Sequence, residues 1–195
     1  IPFLVLNPAA GEVACREARD GLEKGAVGIG ELMPDGQGFA VDDLALLGPL
    51  MELARAYDAV MMIHVNEPVG HDYRGKGRYG PQAAYHLAMH FPQNRIILAH
   101  WGGGLPFYEL MPEVRAALAN VYYDTAASFF LYEESIFRHV TAWAQSKVLF
   151  ATDYPLVAQK RFLQRVRNCA LPPDVLEAVL GGNAARVLER RKGGI

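Results

Sequence analysis

The sequence predicts an α/β fold built on parallel strands. Three observations carry that reading: strand-length apolar runs that do not alternate, amphipathic stretches between them, and a polar residue closing nearly every run. The runs are 3–6 (FLVL), 26–32 (AVGIGEL), 59–65 (AVMMIHV), 96–100 (IILAH), 121–124 (VYYD) and 148–153 (VLFATD). They are mostly rich in β-branched or aromatic residues, as expected of strands covered on both faces.

The intervening segments read as helices. Residues 12–24 are helical in composition. In 43–57, Leu44, Leu47, Met51 and Ala54 fall at helix spacing, and Asp42 is placed to cap the start. In 81–91, Pro81 suits the first helical position, and Ala84, Leu87, Ala88 and Phe91 form one apolar stripe. Stretches 107–119, 133–145, 158–168, 174–180 and 183–191 read similarly, with Pro172 and Pro173 separating two of the last three.

Six βα units in succession predict a parallel sheet with right-handed crossovers. An open doubly wound sheet and a TIM-type (β/α)8 barrel both satisfy that. Six strands are two short of a barrel, and the chain of 195 residues lies just below the ~200 a barrel needs at least. The chain also opens at Ile1, without Met, directly into an apolar run. The expectation is therefore a single barrel domain over 1–195 that lacks its first two βα units. The runs at 3–6 and 148–153 would then expose sheet edges, and a homo-oligomer is expected.

Composition excludes some functions. Net charge is −2, so no basic surplus points to nucleic acid. The apolar runs fall far short of the ~18 residues of a membrane span, and no leader peptide pattern is present. Cys15 and Cys169 form no metal-binding spacing. A reduced, cytoplasmic setting fits them, and a single disulfide stays open. A small-molecule substrate is the partner these bounds leave.

In parallel folds ligands bind at the C-terminal ends of strands. The residues closing the runs are Asn7, Glu31, His64, His100, Asp124 and Asp153. One such residue is weak evidence, since a strand-end His or Asp is as often a cap. Six at equivalent points of successive units carry more, because the fold brings those ends together. Imidazole with carboxylate suits a divalent ion, zinc first, with manganese or iron as alternatives. Such an ion activates water and polarises a carbonyl. Asp153 is the carboxylate we assign to take the water proton, and Glu31 either ligates the ion or pairs with a neighbouring charge. Asp124 either lines the pocket or caps the following turn with Thr125 or Ser128.

The loop 66–80 (NEPVGHDYRGKGRYG) is long and Gly-rich. As a substrate lid it would offer His71, Tyr73 and Lys76; otherwise it is a solvated loop. Gly102–Gly104 either cradles phosphate or lets the chain turn sharply past His100, and the turn is preferred. Trp101 then walls the pocket or packs beneath it. His86 and His90 stand i,i+4 without a nearby acid, so a metal role is not assigned to them; His139 reads as structural or exposed.

The segments 60-VMMIHVNE-67, 96-IILAHWGGG-104, 149-LFATDYP-155 and 181-GGNAARVL-188 resemble the amidohydrolase-related superfamily. They match best the branch of small-molecule hydrolases and non-oxidative decarboxylases of aromatic or muconate-semialdehyde acids. The resemblance implies that His64 binds metal. It implies that His100 is a second ligand or an acid/base, and that Asp153 binds metal and handles the water proton. There are two departures. The His-x-His pair of the family's first strand is absent here, and Glu31 stands where many relatives carry Lys or no ligand. The first expectation is a metal-dependent hydrolase of a small amide, ester or lactone. The second is a metal-dependent decarboxylase of a small aromatic or unsaturated acid. The third is a non-catalytic barrel fragment that binds or assembles.

Overall fold

The structure, a computed structural model, describes residues 1–189. Its centre is a six-stranded parallel sheet whose spatial order is the sequence order. The strands are β1 (Phe3–Leu4), β2 (Gly28–Leu32), β3 (Val60–Ile63), β4 (Ile96–Leu98), β5 (Val121–Asp124) and β6 (Val148–Leu149). Every neighbouring pair is parallel, as Met61 opposite Ile96 and Tyr123 opposite Val148 illustrate. Consecutive order without a reversal excludes a doubly wound sheet, whose strand order switches direction, and matches the barrel expectation.

Alternation along each strand sorts side chains to two faces. Val60 and Met62 point into a small cluster with Phe3, Ile97, Tyr122 and Leu149. Met61, Ile63, Ile96, Leu98, Tyr123 and Val148 belong to the larger core under the helices. The first cluster lies on the other face of the sheet and takes in Val187, with Ala184 and Leu188 packed against it. This is why the runs do not alternate in polarity: both faces are dry.

Helices lie over the expected stretches, and two further short ones, at 34–37 and 128–131, fall outside them. They are α1 (Glu12–Glu23), α2 (Pro34–Gln37), α3 (Leu44–Ala56), α4 (Pro81–His90), α5 (Pro112–Ala117), α6 (Ser128–Leu131), α7 (Ser135–Ala144), α8 (Gln159–Arg167), α9 (Pro173–Glu177) and α10 (Asn183–Leu188). In α1, Ala14, Ala18 and Leu22 recur every four residues and are fully covered. Each such leucine contributes about 1.5–3 kcal/mol of burial. The α3 cap is Asp43, which accepts from the Leu46 N–H at 3.0 Å, rather than Asp42. Asn7 lies past the short β1 ladder and instead caps the turn Pro8–Ala10. The helix expected over 107–119 is shorter, because His100–Leu110 forms tight 3-10 turns first. Residues 190 and 191 of the last expected helix lie outside the described residues. Cys15 and Cys169 are free thiols. Among the described residues, no helix is long and apolar enough to cross a membrane.

Candidate metal centre

The C-terminal ends of β2 to β5 bring four of the expected residues together. Glu31 lies within β2, His64 directly follows β3, His100 follows β4 by two residues, and Asp124 closes β5. His64 Nδ1 is 2.8 Å from Glu31 Oε1 and 3.2 Å from His100 Nε2. His100 Nε2 is 3.8 Å from the same Glu31 oxygen. Ligand atoms of Glu31, His64 and His100 all lie within 4.8 Å of one another, the one three-donor group among the described residues.

The far side of each imidazole fixes which nitrogen faces the cluster. His100 Nδ1 lies 3.1 Å from the Ala126 carbonyl, which only accepts, so Nδ1 carries the proton and Nε2 faces inward with its lone pair. His64 Nε2 lies 3.2 Å from Asn66 Oδ1, which fixes Nδ1 as the inward atom in the same way. His64 Nδ1, His100 Nε2 and a carboxylate oxygen therefore converge on one point, where a proton on Nδ1 has two acceptors beside it. Burial alone would lower the pKa of His64, but the hydrogen bond and charge of Glu31 outweigh it and raise it. A proton or a cation is what this arrangement favours.

Asp124 holds the assembly from beneath. Its Oδ1 accepts from the backbone N–H of His100 at 2.9 Å and of Ala126 at 3.0 Å. Its Oδ2 is buried without a hydrogen-bond partner among the described residues. Burial pushes its carboxyl up to about 6, against the pull of His100. An orphaned carboxylate oxygen next to a convergent donor set is a second sign that the site is built around positive charge. The donors are hard or borderline, as a divalent ion such as Zn²⁺, Mn²⁺ or Fe²⁺ requires.

His100, Trp101 and Asp153 all have left-handed backbone, with φ of 56°, 57° and 62°. That conformation continues through Gly102, Gly103 and Gly104, and so turns the chain away just past His100. A side chain at Gly103 would run into the Asn66 carbonyl. The triple glycine is thus the sharp turn the sequence suggested. Trp101 is fully buried under it, donates to Ser128 Oγ at 2.7 Å and packs edge-on against Phe137. It packs below the site and does not line the cavity, its indole N–H satisfied in the core.

A cavity of about 440 Å³ opens over the cluster. Glu31, His64, His100 and Asp153 line it together with apolar Met33, Phe130, Leu131 and Leu156. His71, Tyr73 and Arg74 reach it from the 66–80 loop. Asp153 thus shares the cavity but stands outside the tight three-donor group. Lys76 does not line this cavity. Its ammonium donates to the carbonyls of Val69, Gly70 and His71 at 3.1–3.4 Å and staples the loop to itself. Asp124 lies under His100 and does not line the cavity. His86, His90 and His139 are exposed and far from the group.

Sequence reasoning missed Asn66 and the Ala126 carbonyl, the two groups that orient the imidazoles. Asn66 carried one signal, its place two residues past His64 in a buried run. The carbonyl carried none, since any residue supplies one. Glu67 was missed too: it accepts from Tyr73 at 3.0 Å and from Tyr132 at 3.4 Å, and burial together with this charge raises both phenols.

A parallel β/α fold with imidazole and carboxylate donors gathered at its strand ends defines the class of metal-site barrel proteins. The chain belongs to the amidohydrolase family, whose model matches residues 1–190. Among solved structures it is similar to 5-carboxyvanillate decarboxylase LigW from Sphingomonas paucimobilis, at 21% identity and a TM-score of 0.73. That likeness covers 94% of this chain and 65% of LigW. It is similar to an uncharacterised TIM-barrel protein from Bordetella bronchiseptica, at 20% identity and a TM-score of 0.76, covering 96% of this chain and 66% of that one. It is also similar to a dihydroxybenzoic acid decarboxylase from Polaromonas sp. JS666 with bound manganese and 2-nitroresorcinol. There the identity is 19% and the TM-score 0.69, over 93% of this chain and 66% of that one. At these identities the likeness establishes the fold. The chain spans about two thirds of the length of these proteins. No curated protein matches the sequence.

Proposed function

We propose that this chain carries the metal-holding part of a non-oxidative decarboxylase acting on a small aromatic or unsaturated acid. The observation that carries the reading is the convergence of Glu31, His64 and His100 donor atoms within 4.8 Å, beside a cavity with apolar walls. Glu31, His64 and His100 would hold the ion, with Asp153 as a further candidate. When bound, it supplies the positive charge that anchors an acid's oxygens and offsets negative charge as it develops.

The rest falls to this chain's own residues. Met33, Phe130, Leu131 and Leu156 give a ring or alkene an apolar wall and keep water off it. Arg74 from the loop offers a cation to a carboxylate, and Tyr73 and His71 offer further polar contact. Loss of CO₂ leaves a carbon that must gain a proton. We assign to Asp153 the relay of a proton from solvent water to that carbon, the carboxylate taking it up and passing it on; its position on the cavity wall outside the three-donor group supports this.

The decarboxylase reading moves ahead of the hydrolase expected first because structural neighbours such as LigW are named for decarboxylation. For the same reason Mn²⁺ is the first ion to test, ahead of the expected Zn²⁺: the Polaromonas protein carries manganese. The domain reading belongs to the proposal as well. Residues 1–195 form one barrel domain, and two further βα units between β6 and β1 would close it and bring added donors. The family description supports a second reading, hydrolysis, in which Asp153 accepts a proton from water rather than giving one to carbon.

The test is to strip the protein with chelator, reload it with Mn²⁺ or Zn²⁺, and supply hydroxylated benzoates beside small lactones and amides. CO₂ release that depends on metal and vanishes in His64→Ala is the expected result. Metal-dependent ring opening or amide cleavage without CO₂ would select the hydrolase. Absence of stoichiometric metal binding in the reloaded protein would sink both.

A further inference from the structure

We propose that Asn66 is a positioning residue that ties closure of the 66–80 loop to the metal-facing tautomer of His64. The inference rests on the metal-site reading above and concerns how the chain presets that site.

Asn66 is 3% exposed, so its amide must find partners inside the protein. The Gly77 backbone N–H lies 2.9 Å from Asn66 Oδ1. A backbone N–H can only donate, so the amide atom facing Gly77 is the oxygen and not the nitrogen. The same oxygen lies 3.2 Å from His64 Nε2. An amide oxygen can only accept, so His64 carries a proton on Nε2. Nδ1 faces another acceptor, Glu31 Oε1, at 2.8 Å, and its proton is the one an ion displaces; with Nε2–H held by Asn66, the lone pair then exposed is on Nδ1, toward Glu31 and His100. With the amide reversed, its NH₂ would face His64 and favour the opposite tautomer, which presents a proton to the cluster instead.

What sets the amide is the closed loop. The loop returns onto its own start, where the Asn66 N–H donates to the Tyr79 carbonyl at 3.0 Å. Across that closure Arg78 is held by Asp35, its N–H at 2.7 Å and its Nε at 2.9 Å. Gly77 admits this approach, since a side chain there would collide with Asp35 and Asn66. Tyr73, which lines the cavity, adds a long 3.5 Å contact to the same Asn66 oxygen. One amide therefore links the loop, the substrate wall and a ligand. By reciprocity, an ion that favours this tautomer must also favour the closed loop.

The experiment measures Mn²⁺ affinity by calorimetry and tryptic cleavage at Arg74 and Lys76, with and without saturating Mn²⁺. Wild type should bind Mn²⁺ and be cut more slowly when loaded. Asn66→Ala should weaken Mn²⁺ binding roughly 10- to 100-fold, the usual effect of losing a group that orients a ligand. Even at saturating Mn²⁺ its loop should be cut at the metal-free rate. Asn66→Asp keeps an acceptor toward both Gly77 and His64 and should restore affinity and protection. Asn66→Leu, of similar shape and without an acceptor, should behave as Asn66→Ala and stands in for it if that variant does not fold. Wild-type affinity and protection in Asn66→Ala or Asn66→Leu would overturn the inference and leave the metal reading standing. A wild-type chain that binds no Mn²⁺ would overturn the metal reading first.

Discussion

Two buried polar clusters in this chain have similar composition and opposite character. One surrounds Glu109, which is 1% exposed. Its Oε1 accepts from the Tyr123 hydroxyl at 2.6 Å and its Oε2 from Lys147 Nζ at 2.7 Å, while Lys147 also donates to the Leu118 carbonyl at 2.8 Å. Each acceptor has a donor, and charge is matched. The other cluster is Glu31, His64 and His100. There His64 Nε2 and His100 Nδ1 donate outward, to Asn66 and the Ala126 carbonyl, and the inward-facing set holds more acceptors than protons. Glu109 is buried outright, whereas Glu31 and His64 are half-buried beneath the cavity with His100 buried beside them. A surplus of inward lone pairs marks the one built to hold something that is not part of the chain.

The contrast can be broken most severely at Lys147. Lys147→Met strands the Glu109 carboxylate without its cation. Removing one partner of a buried pair costs about 3–5 kcal/mol. Urea unfolding of the metal-free protein should show that loss, and Mn²⁺ affinity of the folded fraction should stay at the wild-type value. A stability change below about 1 kcal/mol would place Glu109 among ordinary surface ion pairs and dissolve the comparison.

His64→Ala is the mirror experiment. It removes an inward lone pair, so Mn²⁺ binding should fall at least ~100-fold, since a ligand matters no less than the groups orienting it. That is about 2.7 kcal/mol of binding free energy. Metal-free stability should fall by no more than about 1 kcal/mol, because the His64–Glu31 pair that is lost is part-exposed. A large stability loss with intact metal binding would show that His64 is a core histidine.

Asp124→Asn sharpens the same point more gently. The amide oxygen can still accept from His100 and Ala126, while the charge on the orphaned Oδ2 disappears. Burial and the nearby Glu31 disfavour that charge, but the NH₂ that replaces Oδ2 lacks a partner too, so metal-free stability should shift by no more than about 1 kcal/mol. Mn²⁺ affinity should fall severalfold, since a negative charge beneath the site is lost. Thermal melts with and without Mn²⁺ separate the two; a variant less stable in both states would make Asp124 a purely structural cap.

How much of this was legible in the sequence follows from what fixes each feature. The strands were legible because both faces are dry, and dryness is written in composition: 59–65 and 96–100 could be little else. Glu31, His64, His100 and Asp124 were legible by position, as the polar residues that close apolar runs. The fates of Trp101 and Lys76 were not. A tryptophan beside a ligand and a lysine in a lid suit a binding site equally well on paper. Which way each turns depends on where Ser128 and the carbonyls of residues 69–71 arrive, and that is tertiary information. Asn66 was hidden for the same reason: its role exists only once Gly77 has come back across the loop.

The smallest effect lies where the loop is pinned to the turn after β2. Burial would raise the carboxyl of Asp35, but the hydrogen bonds and charge of Arg78 prevail and hold it below its ordinary value of 3.8. The sign follows. A lowered folded pKa means that the ionised carboxylate is favoured by folding. Its contribution is complete above pH 3.8 and is lost as the pH falls below it through the lowered folded value. Arg78 is largely exposed, at 82% of its side chain, so solvent screens the pair and the contribution should stay within about 1 kcal/mol. Urea midpoints between pH 5 and pH 3 should therefore fall slightly faster in wild type than in Asp35→Asn, with no difference in slope above pH 5. The consequence for the site is indirect but readable. Releasing Arg78 loosens Gly77, so Asp35→Asn at neutral pH should show a small rise in tryptic cutting at Arg74, well short of the rise in Asn66→Ala. Equal cutting in the two variants would mean that the loop is held mainly by its charge pair and that the Gly77–Asn66 hydrogen bond adds little to its closure.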